Sequence, residues 1–290
     1  MSGPRERRRW GVRRGEAPRL VKMRARKKYG QHFLEPAWAD RLVEAIAPRS
    51  SDRFLEIGPG PGALTRRLAP RVAALTAVEI DPQMVEALAH RAPPNVTIVA
   101  ADILEFDIPA AAGGSKVRVA GNLPYNVSSP ILFRLLAAHR ASGCLVDATL
   151  MLQREVADRI RASPGSRDYG VLSILIQLYA DVRPLLNLPP GAFRPAPKVH
   201  SAVVALTFRP RAVALSDEAL FEAMVRSMFT QRRKMLGNAL SGFAEQRGWV
   251  ASDALARADI DARRRPETLQ LTELARLAEV LVRADDGSVL

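Results

Sequence analysis

The segment 121–126, with the sequence GNLPYN, carries residue types that can hold and activate a nucleobase amine. The exocyclic amine of adenine is a poor nucleophile because its lone pair is delocalised into the ring. The side-chain oxygen of Asn122 and the carbonyl oxygen of Leu123 are suitable acceptors for its N–H groups. Pro124 would stiffen the turn, and Tyr125 would offer a face on which a base stacks. The alternative is an ordinary proline-containing turn between a strand and a helix.

A glycine-rich turn follows the apolar run at residues 54–57 and contains Gly58, Gly60 and Gly62. Glycine is needed where the backbone approaches a ligand closely or takes a positive φ. Together with Ala63, the turn also satisfies the loose dinucleotide fingerprint G-x-G-x-x-[GA]. The turn therefore predicts a nucleotide-type site, and by itself it fits a nicotinamide cofactor and S-adenosylmethionine equally well.

Two acidic residues lie at the ends of the next two predicted strands. Glu79 comes about 20 residues after the glycine turn, where a carboxylate can accept both ribose hydroxyls of an adenosine. Asp102 follows the third strand and could accept the adenine amino group, or it could cap a helix or turn. Because S-adenosylmethionine has a cationic sulfonium and no phosphate, these carboxylates suit it better than they suit a pyrophosphate.

Alternating apolar runs and helical patterns must position these residues. Strands are predicted at residues 54–57, 74–80, 96–100, 117–120 and 148–152. Helices are predicted between them at residues 64–68, 82–91 and 130–140, the second beginning with Asp81 as N-cap and Pro82 as its first residue. This alternation predicts an α/β fold with a Rossmann-like parallel sheet.

The pattern changes after residue 210. A proline-rich loop at residues 189–197 and a late strand at 201–208 precede helices at 217–229, with Ser216 as N-cap, and at 234–243 and 269–284. We predict a Rossmann-like domain at residues 23–210 and a small all-helical domain at 211–290. Residues 1–22 are expected to be a disordered basic extension, either a flexible arm or sequence upstream of a natural start at Met23.

The net charge of +13 is concentrated at the amino terminus. Residues 1–28 hold twelve Lys and Arg against Glu6 and Glu16, which is about +10 of the total. The basic run Arg232, Arg233 and Lys234 could contact phosphates, or it could be a solvated helix face. The net charge alone does not identify the partner.

Composition excludes several classes of protein. No apolar run approaches the roughly 20 residues that span a bilayer, and no secretory signal is present, so a cytoplasmic protein without membrane contact is expected. Cys144 is the only cysteine, and the four histidines show no ligand spacing. We therefore expect no metal. No feature demands a dimer, and a monomer is expected.

Six ordered sequence blocks resemble the ribosomal RNA adenine dimethyltransferase family, over roughly residues 26–285. The blocks are YGQHFL at 29–34, EIGPG at 56–60, VEID at 78–81, GNLPYNVSSPIL at 121–132, FRPAPKV at 193–199 with Ser201, and QRRKML at 231–236.

The resemblance implies an S-adenosylmethionine-dependent enzyme that dimethylates the N6 amines of two adjacent adenines in a hairpin of small-subunit RNA, within a pre-assembled or immature subunit. It implies a role in subunit maturation. Asn122 would lie next to the methyl donor, and Phe193 would stack on the target adenine opposite Tyr125. The residues implied in cofactor binding are His32, Leu34, Gly58, Gly60, Glu79, Asp102 and Asn122, and those implied in RNA binding are Arg232, Arg233 and Lys234.

Two other interpretations differ in class. A ribosome-assembly factor could keep this fold while catalysis is secondary or lost, although an intact 122–125 turn with Glu79 argues against a dead enzyme. A nicotinamide dehydrogenase fits only the glycine turn considered alone. It leaves the residues around Asn122 without a partner for hydride transfer.

Overall fold

The computed structural model describes residues 31–282. The basic extension expected at residues 1–22 lies outside the described residues, as do Tyr29 and Gly30. The strands are β1 (Phe33–Leu34), β2 (Arg53–Ile57), β3 (Ala74–Glu79), β4 (Val96–Ala100), β5 (Val117–Asn122), β6 (Leu145–Gln153), β7 (Ala180–Leu188), β8 (Phe193–Arg194) and β9 (Ser201–Phe208).

Helices lie between and after the strands. They are α1 (Pro36–Ile46), α2 (Thr65–Leu68), α3 (Pro82–Ala89), α4 (Ile108–Ala112), α5 (Ser128–Ser142), α6 (Arg154–Arg161), α7 (Val171–Tyr179), α8 (Glu218–Thr230), α9 (Leu236–Glu245), α10 (Ala251–Arg257) and α11 (Leu271–Val282). Within residues 31–282, no helix is long and apolar enough to cross a membrane.

The main sheet has seven strands in the order β4-β3-β2-β5-β6-β9-β7. The first five are parallel, whereas β9 runs antiparallel to both β6 and β7. The predicted Rossmann-like sheet is therefore confirmed, and it is extended at one edge by β9 and β7, of which only β9 runs opposite to the other strands. The chain moves outward from β2 to β4 and then returns to place β5 on the other side of β2. Such a reversal opens a ligand crevice at the carboxyl ends of the two central strands.

Local sequence explains where the helices begin and end. Asp81 caps α3 by accepting the N–H of Gln83 at 3.1 Å, and Pro82 is the first helical residue, as predicted. The expectation that Ser216 caps α8 is wrong, because the Asp217 side chain accepts the Leu220 N–H at 2.9 Å. The Ser216 hydroxyl instead donates to Glu279 at 2.6 Å.

The helices that follow β9 pack directly onto the sheet domain. A single cluster of buried apolar side chains contains Leu152 of β6, Ile176 of α7, Phe221 of α8 and Leu277 of α11. The described chain after residue 210 is helical, as predicted. The division into two domains at that residue stays a prediction, because the buried cluster continues across it.

The contact between β2 and β5 requires glycine at residue 121. Ile57 pairs with Gly121 in the parallel register of these strands. A Cβ atom on Gly121 would lie 2.9 Å from the carbonyl oxygen of Ile57 and 3.2 Å from its Cβ atom. Backbone atoms of a central strand cannot move away at little cost, so a larger residue would push the two strands apart.

We expect Gly121→Ala to lower the free energy of unfolding by about 2 kcal/mol, because overpacking of a buried site carries a penalty of that order. Gly242→Ala is the matched control. A Cβ atom there meets nothing within 4 Å, and the residue lies in α9, where alanine should add roughly 0.5–1 kcal/mol. Chemical denaturation measures both values, and similar changes for the two variants would contradict the close β2–β5 contact.

Candidate active site

A cavity of about 320 Å³ lies at the carboxyl ends of β2, β3 and β5, where the strand order reverses. This volume is within the range typical of small-molecule sites. The structure brings most of the predicted site residues together around it. The predicted residues that line the cavity are His32, Leu34, Gly58, Gly60, Glu79, Asp102, Asn122, Leu123, Pro124 and Tyr125.

The glycine turn forms one wall of the cavity. Gly58 and Gly60 have φ angles of 62° and 53°, a region that side chains with a Cβ atom rarely adopt. The Gly58 N–H donates to the Val78 carbonyl oxygen at 2.9 Å, which ties the turn to β3. The turn thus presents bare backbone to the cavity, as the sequence predicts.

Glu79 is held in place by backbone donors. Its side chain is buried, and its two carboxylate oxygens accept the N–H groups of Gly60 and Asp81, each at 2.9 Å. Burial raises the pKa of Glu79, while these two hydrogen bonds lower it. The carboxylate is therefore oriented toward the cavity before any ligand binds.

Asp102 has one of the two roles considered from the sequence, that of a turn cap, and the contact with an adenine amino group stays a prediction. It lines the cavity, and its Oδ1 atom accepts the N–H of Leu104 at 2.9 Å, as a turn-capping residue does. Capping fixes the side chain beside the cavity and leaves it oriented for a ligand.

The Asn122 side chain is fixed by the N-terminal segment. Its Nδ2 atom donates to the His32 carbonyl oxygen at 2.7 Å, so Oδ1 is presented as an acceptor. The Leu123 N–H donates to the Met151 carbonyl oxygen at 3.2 Å, which anchors the turn to β6. The amide of Asn122 thus has a defined orientation at the cavity.

Tyr125 has an anchored hydroxyl group and a covered ring face. Its hydroxyl lies 2.5 Å from the Ser201 hydroxyl on β9, and burial raises the pKa of the phenol. The His32 ring stacks on Tyr125 with 5.5 Å between ring centroids and 23° between planes. His32 Nδ1 is 2.7 Å from the Pro195 carbonyl oxygen, so a hydrogen bond and the stacking contact with Tyr125 together position the imidazole.

Phe193 differs from the expectation. It is 0% exposed, belongs to the apolar cluster that includes Leu42 and Met151, and is not among the residues lining the cavity. In β8 it pairs with Leu34 of β1, and this pairing directs its ring into the core. In this structure the ring that faces Tyr125 is that of His32, and the stacking of Phe193 on the target adenine stays a prediction.

The basic run lies away from the cavity, in the turn between α8 and α9 rather than on a helix face. The Arg232 guanidinium donates to the Arg167 carbonyl oxygen at 2.9 Å and lies 3.9 Å from Glu267. Arg233 and Lys234 are exposed. Arg232 is thus engaged within the protein, whereas the other two cations point to solvent.

The cavity is acidic. Glu56, Glu79 and Asp102 line it, and the described residues place no lysine or arginine in its wall. Residues 31–282 contain no group of three or more His, Cys, Asp or Glu side chains that could hold a metal ion. Such a cavity fits a cationic ligand and disfavours a pyrophosphate, which distinguishes between the two cofactors that the glycine turn alone fits equally well.

Sequence reasoning gave no role to Glu56, although it lines the cavity and is only 1% exposed. Burial raises its pKa to about 7. The sequence signal that could have indicated a site residue here is a single acidic residue within an otherwise apolar strand. Ile80 and Ile103 also line the cavity, and each directly follows an acidic residue that the sequence identifies.

Comparison with known proteins gives close relatives. The chain matches the family model described as ribosomal RNA adenine dimethylase over residues 22–277. A Xanthomonas euvesicatoria protein named ribosomal RNA small subunit methyltransferase A is 45% identical over 260 residues, covering 88% of this chain and 96% of that protein. The Xanthomonas campestris pv. campestris protein of the same name is 44% identical over the same shares.

Two solved structures share the fold over most of the chain. A dimethyladenosine transferase from Plasmodium falciparum has a TM-score of 0.75 and 26% identity, covering 88% of this chain and 98% of that one. The 23S rRNA methyltransferase ErmE has a TM-score of 0.62 and 26% identity, with shares of 86% and 99%. The resemblance predicted from sequence is confirmed: the chain belongs to the ribosomal RNA adenine dimethylase family.

Proposed function

We propose that this protein transfers methyl groups from S-adenosylmethionine to the N6 amines of two adjacent adenines in a hairpin of small-subunit ribosomal RNA, giving N6,N6-dimethyladenosines. The oriented Asn122 amide beside an acidic, phosphate-disfavouring cavity is the observation that carries the proposal. The names of the relatives, which are ribosomal RNA methyltransferases, agree with it.

The cofactor is assigned to the glycine-turn side of the cavity. Bound S-adenosylmethionine would supply a methyl group made electrophilic by its sulfonium charge. Glu79 is suited to the ribose hydroxyls because each of its oxygens keeps a second lone pair beyond its backbone hydrogen bond. Asp102 is suited to the adenine amino group, and the bare backbone at Gly58 and Gly60 allows close approach.

Asn122 and Leu123 are assigned to the target amine. Their oxygens would accept its two N–H groups and hold the nitrogen lone pair out of conjugation with the ring. The nitrogen becomes positively charged as it is methylated and then loses a proton easily, so no strong base is required. For the second transfer, Asn122 must hold an amine that already carries one methyl group.

The target base is assigned to the face of Tyr125 that His32 covers. A flat base sandwiched between two rings needs them about 7 Å apart, since each stacked layer is roughly 3.5 Å thick. The centroids of His32 and Tyr125 are 5.5 Å apart, which is too close. An extruded adenine must therefore displace the imidazole to stack on Tyr125.

The RNA backbone is assigned to the helical part at residues 211–290, with Arg233 and Lys234 as phosphate contacts. We propose that the protein acts as a monomer on an immature small subunit. A ribosome-assembly factor that has lost catalysis is not favoured, because the turn 122–125 lines the cavity together with Glu79.

Incubation with labelled S-adenosylmethionine and small subunits that lack these methyl groups should yield N6,N6-dimethyladenosine on nucleoside analysis of the RNA.

Asn122→Ala should lower the rate of methyl transfer at least about 100-fold, because losing an oriented polar group in an active site usually has an effect of that size. The affinity for RNA should stay within twofold of the wild-type value.

Asn187→Ala, at an exposed position on β7, is the matched control and should retain full activity. Equal losses of transfer and RNA binding in Asn122→Ala would mean that Asn122 is structural. Product other than methylated adenine would overturn the proposed reaction.

Glu79→Gln should weaken S-adenosylmethionine binding about tenfold or more, because the amide keeps one acceptor and loses the charge and the second acceptor. Isothermal calorimetry on the purified protein measures this. Glu86→Gln, at an exposed position on α3, removes the same charge and should leave the affinity unchanged. Unaltered affinity in Glu79→Gln would refute the assignment to the ribose.

Replacement of Arg233 and Lys234 by Gln should reduce the salt dependence of RNA binding, measured as the slope of log K against log salt concentration, by roughly 0.7–0.9 for each phosphate that the protein no longer neutralises. Arg53→Gln is the control. This exposed residue is the first of β2, at the amino end of the strand, whereas the cavity lies at the carboxyl end. An unchanged slope in the double variant would assign the two cations to a solvated turn.

A further inference from the structure

Two buried serines hold Tyr125, the residue on which we expect the target base to stack. The Ser201 hydroxyl lies 2.5 Å from the phenol oxygen of Tyr125. The Ser128 hydroxyl donates to the backbone carbonyl oxygen of Tyr125 at 3.2 Å. Each of the two serines is only 1% exposed. Tyr125 is therefore fixed both at its main chain and at the far end of its side chain.

Ser201 has a rigid position in the sheet. It is the first residue of β9 and pairs with Gln153 of β6 on one side and with Leu188 of β7 on the other. Because β6 lies between β5 and β9, the phenol of Tyr125 reaches past the end of β6 to the second strand away, which is roughly 9–10 Å at the usual strand spacing. The hydrogen bond thus ties the turn after β5 to a strand that does not adjoin β5.

Packing of the sheet does not require a hydroxyl group at residue 201. β9 continues with Ala202, Val203 and Val204, which are buried apolar residues. An alanine at residue 201 would fill nearly the same space without a polar atom. Among the described residues, Tyr125 is the hydrogen-bonding partner of the Ser201 side chain. A buried hydroxyl is unfavourable unless it is paired, so this one is best explained by what it does to Tyr125.

The ring that faces Tyr125 is held less firmly. The His32 imidazole makes its contact with the Pro195 carbonyl oxygen at an exposed position, where water can replace it. Rotation of the His32 side chain would leave the hydrogen bond between its backbone carbonyl and Asn122 in place. A base cannot enter between ring centroids that are 5.5 Å apart, so one of the two rings must move. Because the phenol is anchored in the buried sheet, the imidazole is the ring that moves.

We propose that Ser201 is a positioning residue for methyl transfer: its hydroxyl fixes the Tyr125 ring, so that an incoming adenine displaces His32 and stacks in one defined place. The amine of the stacked adenine then meets the oxygens of Asn122 and Leu123. The inference rests on the proposed function. Ser201 does not line the cavity, so it acts through Tyr125 and not by contact with a ligand. Without the hydrogen bond the phenol would pivot and carry the stacked amine away from its acceptors.

A double-mutant cycle of Ser201→Ala and Tyr125→Phe tests this role. Each single variant should lower kcat for methyl transfer to small subunits about tenfold to 100-fold, because a displacement of about 1 Å at the reacting atoms can slow a reaction by roughly 100-fold. The double variant should be no slower than the slower single variant, because both changes remove the same hydrogen bond.

Binding measurements separate positioning from a damaged fold. In Ser201→Ala, the KM for small subunits and the calorimetric affinity for S-adenosylmethionine should both stay within about twofold of wild type, since a misplaced ring affects the transition state and not the other contacts. Ser173→Ala is the matched control. Ser173 is buried on α7 outside the cavity wall, and its hydroxyl donates to the Arg159 carbonyl oxygen at 2.6 Å. Assayed below its unfolding transition, this variant should keep the wild-type kcat.

Three results would overturn the role of Ser201. They are a wild-type kcat in Ser201→Ala, losses that add in the double variant, and a loss of kcat matched by an equal loss of S-adenosylmethionine affinity. Failure of the proposed function gives a different result, because wild-type protein that transfers no methyl group to adenine would overturn both proposals together. Normal transfer by wild type with any of the three results would overturn only the inference about Ser201.

Discussion

The site depends on how closely β2 approaches β5 in the middle of the sheet. Gly121 lets the two strands pair beside Ile57, where a Cβ atom would meet a carbonyl oxygen at 2.9 Å. That pairing sets the glycine turn after β2 next to Asn122 at the end of β5. A Cβ atom on Gly58 would in fact lie 3.9 Å from the Asn122 carbonyl oxygen. The glycine turn, to which we assign the cofactor, and Asn122, to which we assign the target amine, can be neighbours only because β2 and β5 lie this close together.

Acidic and basic side chains lie in different parts of the protein, so the site assigned to the cofactor is separate from the site assigned to the RNA backbone. The cavity wall contains carboxyl groups and no lysine or arginine among its described residues, whereas the exposed cations Arg233 and Lys234 lie in the turn between α8 and α9. An acidic cavity repels phosphate groups and accepts a cation or a neutral base. RNA held elsewhere by its backbone could thus present only an unstacked base to the cavity, which is the part that carries the target amine.

Much of this site could be predicted because the carboxyl ends of parallel strands meet at one edge of a sheet. The glycine turn, Glu79, Asp102 and Asn122 each lie at the carboxyl end of a strand with clear apolar character, so their convergence followed from topology. The end of α7 was not predictable in this way. Tyr179 ends the helix and Ala180 begins β7 directly, with no glycine, proline or polar turn between them to mark the change.

The placement of the aromatic rings was beyond local sequence for a different reason. Phe193 is buried because β8 pairs with β1, and these two strands are about 160 residues apart in the chain. A pair of two-residue strands has too few side chains to give a periodic pattern, so nothing in either segment indicates its partner. The same pairing carries His32 onto Tyr125, where the Asn122 amide holds the backbone carbonyl of His32. One non-local contact therefore buries the ring of Phe193 and covers the ring of Tyr125.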